Sequence, residues 1–200
     1  LVAGSLAMGA AHAIDMSIMN DMYIGFDVDK TSIAFKTLEQ VDYARIYQSV
    51  FTAYTPYIGY EIYPAFALEL GYYNSAYRPK TVSTIKGSVP IAGTSNAKVT
   101  GWYLDALTEY NVWEGLDLLG AVGVERIQLG VNNVNSVGYY LTPTYVLGAQ
   151  QQTVARLSLG LGYDFTKHMS ARFMVRANNA TLAQTAHYVM HYSLGVQYAL

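Results

Sequence analysis

The chain has 200 residues, of which 52% are hydrophobic and 13% are charged, with a formal net charge of −2. This length suits one domain, and the lack of a basic stripe excludes nucleic acid as a partner. The sequence contains no cysteine, which excludes disulfides and thiolate metal sites. Mean hydropathy is +0.16, yet no apolar run approaches the roughly eighteen residues that a transmembrane helix needs.

Residues 1–13 are small and mostly apolar, and they end in Ala11-His12-Ala13. An A-x-A pattern after an apolar stretch is typical of a signal-peptidase cleavage site. No basic segment or starting Met precedes it, so we interpret residues 1–13 as the truncated remnant of a cleaved signal peptide. The expected mature protein is one exported domain over residues 14–200. The alternative is a structured apolar helix at the N-terminus of the fold.

Beyond this leader, apolar and polar residues alternate with a period of two, which predicts β-strands with one apolar and one polar face. The last segment, 188–200, is the clearest, because it exceeds the roughly nine to eleven residues with which a tilted strand crosses a bilayer. In the second segment Pro56 lacks a backbone donor, so we predict a β-bulge there. The eight predicted strands are 22–30, 50–62, 66–73, 100–110, 116–128, 154–163, 170–176 and 188–200.

The connections between these strands alternate between long loops and short turns. The predicted long loops are 31–48, 75–98, 129–151 and, somewhat shorter, 178–186. This asymmetry and an even strand number are typical of bacterial outer-membrane barrels. The 19 tyrosines fit the same class, since amphipathic rings collect at membrane interfaces. The aromatic residues expected to form these interfacial girdles are Tyr23, Phe66, Tyr72, Trp102, Trp113, Tyr145, Tyr163 and Phe165.

A soluble lipocalin-like barrel is the structural alternative, and it would bury its apolar residues and show polar ones to water. The polar set of the predicted strands holds too many charges for a ligand-binding interior: Asp27, Glu69, Glu125, Arg156, Arg172 and Arg176. We therefore predict an all-β fold, an eight-stranded antiparallel up-and-down transmembrane β-barrel.

Three segments resemble a known family: PYIGYEIYPAFALELGYYN at 56–74, LGLGYDFTKHMSARFMVR at 159–176 and SLGVQYAL at 193–200. They are similar to the small barrels related to outer membrane protein A and the opacity proteins. The resemblance covers nearly the whole mature chain and implies the outer membrane of a Gram-negative bacterium. Members of the family typically end in Phe, which the assembly machinery reads, whereas this chain ends in Leu200.

The resemblance also implies a site inside the barrel. Glu69 and Arg172 occupy the positions of the acid and base in an interior salt bridge that acts as a gate in the family. The second pair of that gate is not reproduced, because its positions match Leu107 and Gly162. An eight-stranded barrel is filled by side chains, so its interior charges must pair. Substitute partners are expected among the other inward charges, Glu125, Arg156 and Arg176.

His191 and Ser193 resemble the H-x-S pattern of lipid A deacylases, which are also outer-membrane barrels. A catalytic triad would need a carboxylate to orient the histidine, and no Asp or Glu follows Asp164. We therefore predict that both residues line the lumen and that the protein is not an enzyme. No cofactor and no metal site are expected.

The predicted function is that of a structural, weakly porin-like barrel whose polar lumen is closed by a salt-bridge network. One alternative is a surface adhesin or receptor whose loops bind host or phage partners, and another is a lipid A-modifying enzyme. The expected partners are outer-membrane lipids, lipopolysaccharide and surface ligands of the loops, with the chain as a monomer.

Overall fold

The computed structural model describes residues 21–38, 41–42, 47–86, 89–137, 150–182 and 185–200. The predicted signal-peptide remnant at 1–13 lies outside these ranges, as does the predicted girdle residue Tyr145. Within the ranges there is no helix that is long and apolar enough to span a membrane.

The described chain contains eleven β-strands. In chain order they are β1 (Met22–Phe35), β2 (Thr37–Leu38), β3 (Val41–Asp42), β4 (Val50–Tyr63), β5 (Phe66–Ser75), β6 (Arg78–Lys86), β7 (Val89–Trp113), β8 (Leu116–Val137), β9 (Gln150–Asp164), β10 (Met169–Asn178) and β11 (Ala186–Ala199).

Nine of these strands form one antiparallel sheet, in the order β5-β4-β1-β11-β10-β9-β8-β7-β6. An additional pairing of β5 with β7 joins the two sides of the sheet, so that eight strands close a ring and β6 lies outside it. β6 pairs with residues 89–97 of β7, whereas β5 pairs with residues 100–108 of the same strand. The predicted eight-stranded antiparallel barrel is confirmed.

Side chains alternate across the wall of the ring because successive residues of a strand point to opposite faces. On β9 the outward Leu157, Leu159 and Leu161 are 49–61% exposed, whereas the inward Arg156 and Ser158 are at most 4% exposed. Exposing apolar side chains to water costs about 25 cal/mol of free energy per Å² of apolar surface, whereas contact with lipid hydrocarbon carries no such cost. The outer wall is therefore a lipid-facing surface, which is the reverse of the polarity of a soluble lipocalin-like barrel.

The two ends of the ring differ in the length of their connections. Short turns at 64–65, 114–115 and 165–168 lie at one end, which we call the turn end. Gly115 has a φ of 73°, a left-handed conformation that glycine adopts without steric cost. The remaining connections between strands of the ring are longer and lie at the opposite end, the long-loop end. This is the predicted alternation of long and short connections.

Part of the predicted long loops is strand instead. β7 begins at Val89 and β8 continues to Val137, and together with β6 they form a three-stranded extension beyond the end of β5. The segment 75–98 is rich in Ser, Thr, Gly and Pro and shows no sustained alternation, so its sequence indicates a loop. Backbone pairing between neighbouring strands stabilises the extension, and that pairing is independent of an alternating pattern.

The β-bulge predicted at Pro56 is wrong. β4 keeps one register with β1, in which Pro56 lies opposite Phe26. On the other side of β4, the ladder with β5 is interrupted between the pairs Tyr54–Asn74 and Tyr57–Gly71, which share the same register. Proline lacks an N–H, so the ladder loses hydrogen bonds locally without gaining an extra residue. An apolar groove of about 490 Å³ opens on the outer wall at this gap.

One predicted girdle residue lies elsewhere. Tyr23 points into the lumen and is 3% exposed, because it shares the odd-numbered face of β1 with Asp27 and Asp29. Other aromatic residues do lie exposed on the outside of the turn end, as Trp113 and Phe165 illustrate at 75% and 59% exposure. An aromatic residue near a strand end therefore lies at the membrane interface only if its side chain is on the outward face of the strand.

Candidate functional site: a charged plug in the lumen

The interior of the ring contains a group of ionisable side chains that are almost completely buried. None of them is more than 5% exposed, and buried charges at this density require mutual pairing and hydrogen bonds. We call this group the lumen plug: Asp27, Asp29, Glu69, Asp105, Glu125, Arg156, Arg172, Arg176 and His191.

Arg172 on β10 forms the centre of the lumen plug. Its guanidinium contacts Glu69 through both Nη atoms, with Nη2 donating to Oε1 at 3.0 Å. The same guanidinium donates to Asp27 from Nε at 3.1 Å and from Nη2 at 2.9 Å. Its Cζ lies 3.7 Å from the centroid of the Tyr57 ring. Arg172 thus binds two carboxylates in forked geometry while one of its faces is covered by an aromatic ring.

Arg176 lies four residues further along β10 and shares one of these carboxylates. Its Nη2 donates to Asp27 Oδ2 at 2.9 Å, and its Nη1 lies 3.5 Å from Asp29 Oδ1. Nη1 also donates to the hydroxyl of Ser193 on β11. Asp27 is therefore bound by two guanidiniums at once, which links the two arginines into one network.

A second ion pair joins β9 to β7. Arg156 donates to Asp105 from Nε at 3.2 Å and also from Nη2, and its Cζ lies 3.6 Å from the centroid of the Tyr103 ring. The hydroxyl of Tyr103 donates to Glu69 Oε1 at 2.7 Å. Tyr103 therefore lies between the two ion pairs and connects them.

Glu125 on β8 is satisfied mainly by neutral groups. Tyr73 donates to its Oε1 at 2.5 Å and Asn178 donates to its Oε2 at 2.8 Å. His191 places Nε2 3.1 Å from Oε1 of Glu125, although the angle is poor for a hydrogen bond, and its Nδ1 lies 3.0 Å from the Thr31 hydroxyl. Glu125 is thus held by a tyrosine hydroxyl and an asparagine amide beside His191, and it contacts no arginine of the plug.

Glycines on the inner wall make room for this network. A Cβ at Gly195 would lie 1.9 Å from Asp27 Oδ1, and one at Gly123 would lie 2.2 Å from Asp105 Oδ1. Four tyrosine rings also cover glycines on neighbouring strands: Tyr57 over Gly25, Tyr23 over Gly59, Tyr103 over Gly71 and Tyr73 over Gly101. The small residues therefore provide the space that the large and charged side chains occupy.

The structure brings some of the sequence-predicted site residues together and separates others. Glu69 and Arg172 are in direct contact, while Arg156 and Arg176 contact aspartates instead of glutamates. Leu107 and Gly162, which match the second pair of the family's gate, carry no charge and contribute no ion pair.

Sequence reasoning missed the pairing roles of Asp27, Asp29 and Asp105. All three lie on inward faces that the alternating pattern identifies, so the pattern contains the signal for burial. The pattern has no signal for the partner, because partners on different strands are separated by up to 149 positions in the sequence.

The lumen plug contains more acids than bases. Five buried carboxylates face three buried guanidiniums, so at least part of the negative charge needs neutral donors. Hydroxyl groups of Tyr73, Tyr103 and Thr55 supply them to Glu125, Glu69 and Asp29 respectively. In the described part of the chain, no group of three or more histidine or acidic side chains is arranged to hold a metal ion.

A closed antiparallel ring with an apolar outer wall, a charged interior and unequal ends defines an integral outer-membrane β-barrel. Comparison with family models agrees, since the model of the OmpA-like transmembrane domain matches residues 18–200. The chain belongs to this family, and its location is the bacterial outer membrane.

Solved structures of other small barrels share the fold. Neisserial surface protein A (NspA) of Neisseria superposes with a TM-score of 0.53 at 13% identity, covering 90% of this chain and 97% of NspA. Ail, the attachment invasion locus protein of Yersinia pestis, superposes with a TM-score of 0.50 at 12% identity, covering 88% and 95%. That Ail structure is a complex with the heparin analogue sucrose octasulfate. Comparison with curated protein sequences gives no significant match.

Proposed function

We propose that this protein is a structural, non-enzymatic barrel whose lumen is closed at rest and conducts small ions when contacts within the plug exchange. The observation that supports this proposal is the double engagement of Arg172 with Glu69 and Asp27. As proposed, the barrel functions as a monomer in contact with outer-membrane lipids.

Exchange of contacts at Arg172 leaves every charged group with at least one hydrogen-bond partner and keeps the guanidinium inside the lumen. When Arg172 releases Glu69, its Nε and Nη2 remain bound to Asp27. Glu69 in turn keeps the hydroxyl of Tyr103 at 2.7 Å and has that of Tyr23 at 3.4 Å. An isolated buried charge costs several kcal/mol, so an opening that avoids one has a much lower barrier. Glu69 and Arg172 therefore form the movable contact of the proposed gate.

Replacing Glu69 by glutamine should increase conduction. The variant keeps the size of the side chain but loses the charge that attracts Arg172. One hydrogen bond to a charged group contributes about 1.5 kcal/mol or more, so the ratio of open to closed states should rise at least roughly tenfold. Single-channel recording in planar bilayers measures this ratio directly.

The matched control for this experiment is Glu114→Gln, which removes an exposed acid at the turn between β7 and β8. Its recordings should equal those of the unmodified protein. Complete absence of channel events in the unmodified protein and in Glu69→Gln would refute the pore, leaving a purely structural barrel.

The geometry of His191 and Ser193 supports a non-enzymatic role. Ser193 accepts from Arg176 and lies 3.4 Å from the carbonyl of Met174, whereas His191 contacts Thr31 and Glu125. Both side chains are at most 2% exposed and face the lumen, away from lipid. A serine that accepts from an arginine, with a histidine directed elsewhere, lacks the nucleophile–base contact of an acyl-transfer site.

A second candidate function, binding of anionic ligands at the cell surface, is favoured by the extension formed by β6, β7 and β8. Residues 78–86 and 89–97 pair beyond the ring at the long-loop end. The sequence 78–97 contains Arg78, Lys80 and Lys86 and no acidic residue. A basic hairpin at this end suits a sulfated or phosphorylated ligand outside the cell.

Shortening this hairpin should abolish such binding. Arg78 and Ala97 are paired, so residues 79–96 can be replaced by Asn-Gly without separating the strand ends. Binding of sucrose octasulfate to the protein in vesicles, measured by calorimetry, is expected for the unmodified protein and lost in the variant. Unsulfated sucrose serves as the neutral control. Equal binding of sucrose octasulfate by the unmodified protein and the shortened variant would contradict this second function.

A further inference from the structure

The lipid-facing wall is interrupted by a polar hollow of about 190 Å³ on the outside of β5, β7, β8 and β9, which we call the outer polar hollow. Its polar lining is unusual for a surface that exposes mostly Leu, Val and aromatic side chains. The residues that form it are Tyr72, Thr100, Trp102, Arg126, Gln128 and Gln151.

Arg126 supplies the charge of the outer polar hollow. It is exposed on the outward face of β8, between the inward Glu125 and Ile127. The carboxamide of Gln151 lies within hydrogen-bond distance of Arg126 Nε and Nη2, and the orientation that satisfies both groups turns its oxygen toward the guanidinium. No carboxylate in the described part of the chain pairs with Arg126. Three of its five N–H donors therefore face away from Gln151, next to the membrane.

An apolar groove continues from the outer polar hollow. It is the groove of about 490 Å³ at the Pro56 gap, lined by Ile58 and Leu70, and it shares Tyr72 and Trp102 with the hollow. We call it the Pro56 groove. The two depressions meet at this aromatic pair and together form one amphipathic surface.

The direction of this surface matches one leaflet of the membrane. Along β7, which runs from the long-loop end to the turn end, the polar Thr100 precedes Trp102, and on β5 the apolar Leu70 is nearer the turn end than Tyr72. The polar part therefore faces the cell exterior and the apolar part faces the centre of the bilayer. This is the orientation of a lipid in the outer leaflet.

We propose that the outer polar hollow and the Pro56 groove form a binding site for lipopolysaccharide, the phosphorylated glycolipid of the outer leaflet. A phosphate group lies against the Arg126 guanidinium, which is suited to phosphate by its planar forked donors. An acyl chain of the same molecule fills the Pro56 groove. Trp102 pairs with Arg126 across β7 and β8, and Trp102 and its neighbour Tyr72 therefore lie beside the phosphate, at the level where aromatic rings prefer to be. This site is on the outside of the wall and is independent of the lumen plug.

Binding of purified diphosphoryl lipid A, measured by native mass spectrometry of the folded protein released from detergent, tests this site. Arg126→Gln should weaken binding about tenfold, as expected for loss of a charge-assisted contact. The matched control is Lys30→Gln, which removes an exposed outward cation on β1, four strand pairings away from β8. It should change binding less than twofold.

Two further measurements separate the parts of the site. Leu70→Trp fills the Pro56 groove while keeping the surface apolar, and it should also weaken lipid A binding. Dephosphorylated lipid A should bind Arg126→Gln and the unmodified protein equally. A heat-modifiable shift on a gel checks that each variant is folded.

The proposal would be overturned by equal effects of Arg126→Gln and Lys30→Gln, because that outcome indicates general attraction to a basic surface. It would also be overturned by unchanged binding in Arg126→Gln. Phosphatidylglycerol that binds as tightly as lipid A, with the same dependence on Arg126, would identify a phospholipid site instead.

Discussion

Replacement of Arg172 by methionine is expected to destabilise the barrel by about 3–5 kcal/mol, the cost of removing one member of a buried ion pair. The change leaves Glu69 without a cation in direct contact, because its other contacts are hydroxyl groups of Tyr103 and Tyr23. Asp27 keeps Arg176 at 2.9 Å, so the loss is concentrated on Glu69. Urea unfolding in phosphatidylcholine vesicles, followed by the fluorescence of the two tryptophans, measures the free energy of unfolding.

The double variant Arg172→Met with Glu69→Leu is the control that isolates the charge. Replacing both members of a buried pair by apolar residues of similar size is often nearly neutral, so much of the lost stability should return. An equal loss in the single and double variants would mean that Arg172 stabilises the barrel by packing on Tyr57 rather than by pairing with Glu69.

The second large effect is expected for Gly195→Ala, which should hinder closure of the ring. Gly195 lies opposite Asp27 in the pairing of β1 with β11, the pair that joins the first and last strands. A Cβ there would lie 2.6 Å from the carbonyl oxygen of Phe26 and 2.9 Å from the Cα of Asp27. Backbone atoms cannot move aside as a flexible side chain does, so we expect a loss of about 3 kcal/mol and slower assembly.

Folding into lipid vesicles, followed by the heat-modifiable gel shift, measures this effect. Gly120→Ala on β8 is the matched control, because its Cβ would meet only Thr108 Cγ2 at 3.5 Å, an ordinary contact. Gly120→Ala should fold as the unmodified chain does. Similar defects in both variants would indicate that strand glycines matter through the backbone freedom of the unfolded chain and not through the contact with Asp27.

The face of most inward residues could be predicted from the sequence, because alternation is a local property of a strand. Glu69, Arg156, Arg172 and Arg176 all lie on the faces that the pattern assigns to the lumen. The predicted position of Tyr23 was wrong, because it was based on the nearby strand end. The alternating pattern places Tyr23 on the inward face with Asp27 and Asp29. The prediction at Pro56 was also wrong, because the sequence shows a missing donor but not whether the strand gains a residue or the ladder loses bonds.

The partners of the charged residues were beyond the reach of the sequence. Arg172 lies opposite Gly162 on β9 and Gly195 on β11, so no side chain on either neighbouring strand can pair with it. Its guanidinium therefore extends past β11 to Asp27 on β1 and across the lumen to Glu69 on β5. That choice depends on the register of the strands around the ring, which follows from the closure of the whole sheet.

The sequence by itself determined the class of fold, the lipid-facing wall and the charged interior of this protein, since a period of two and the polarity of each face are local. Only the tertiary structure decided that Asp27 links two arginines, that Glu125 accepts from Tyr73 and Asn178, and that Arg126 adjoins the Pro56 groove. The physical reason is the same in each case. These contacts join strands that are distant in the sequence. Closure of the ring determines which of their residues lie at the same height in the barrel and can therefore touch.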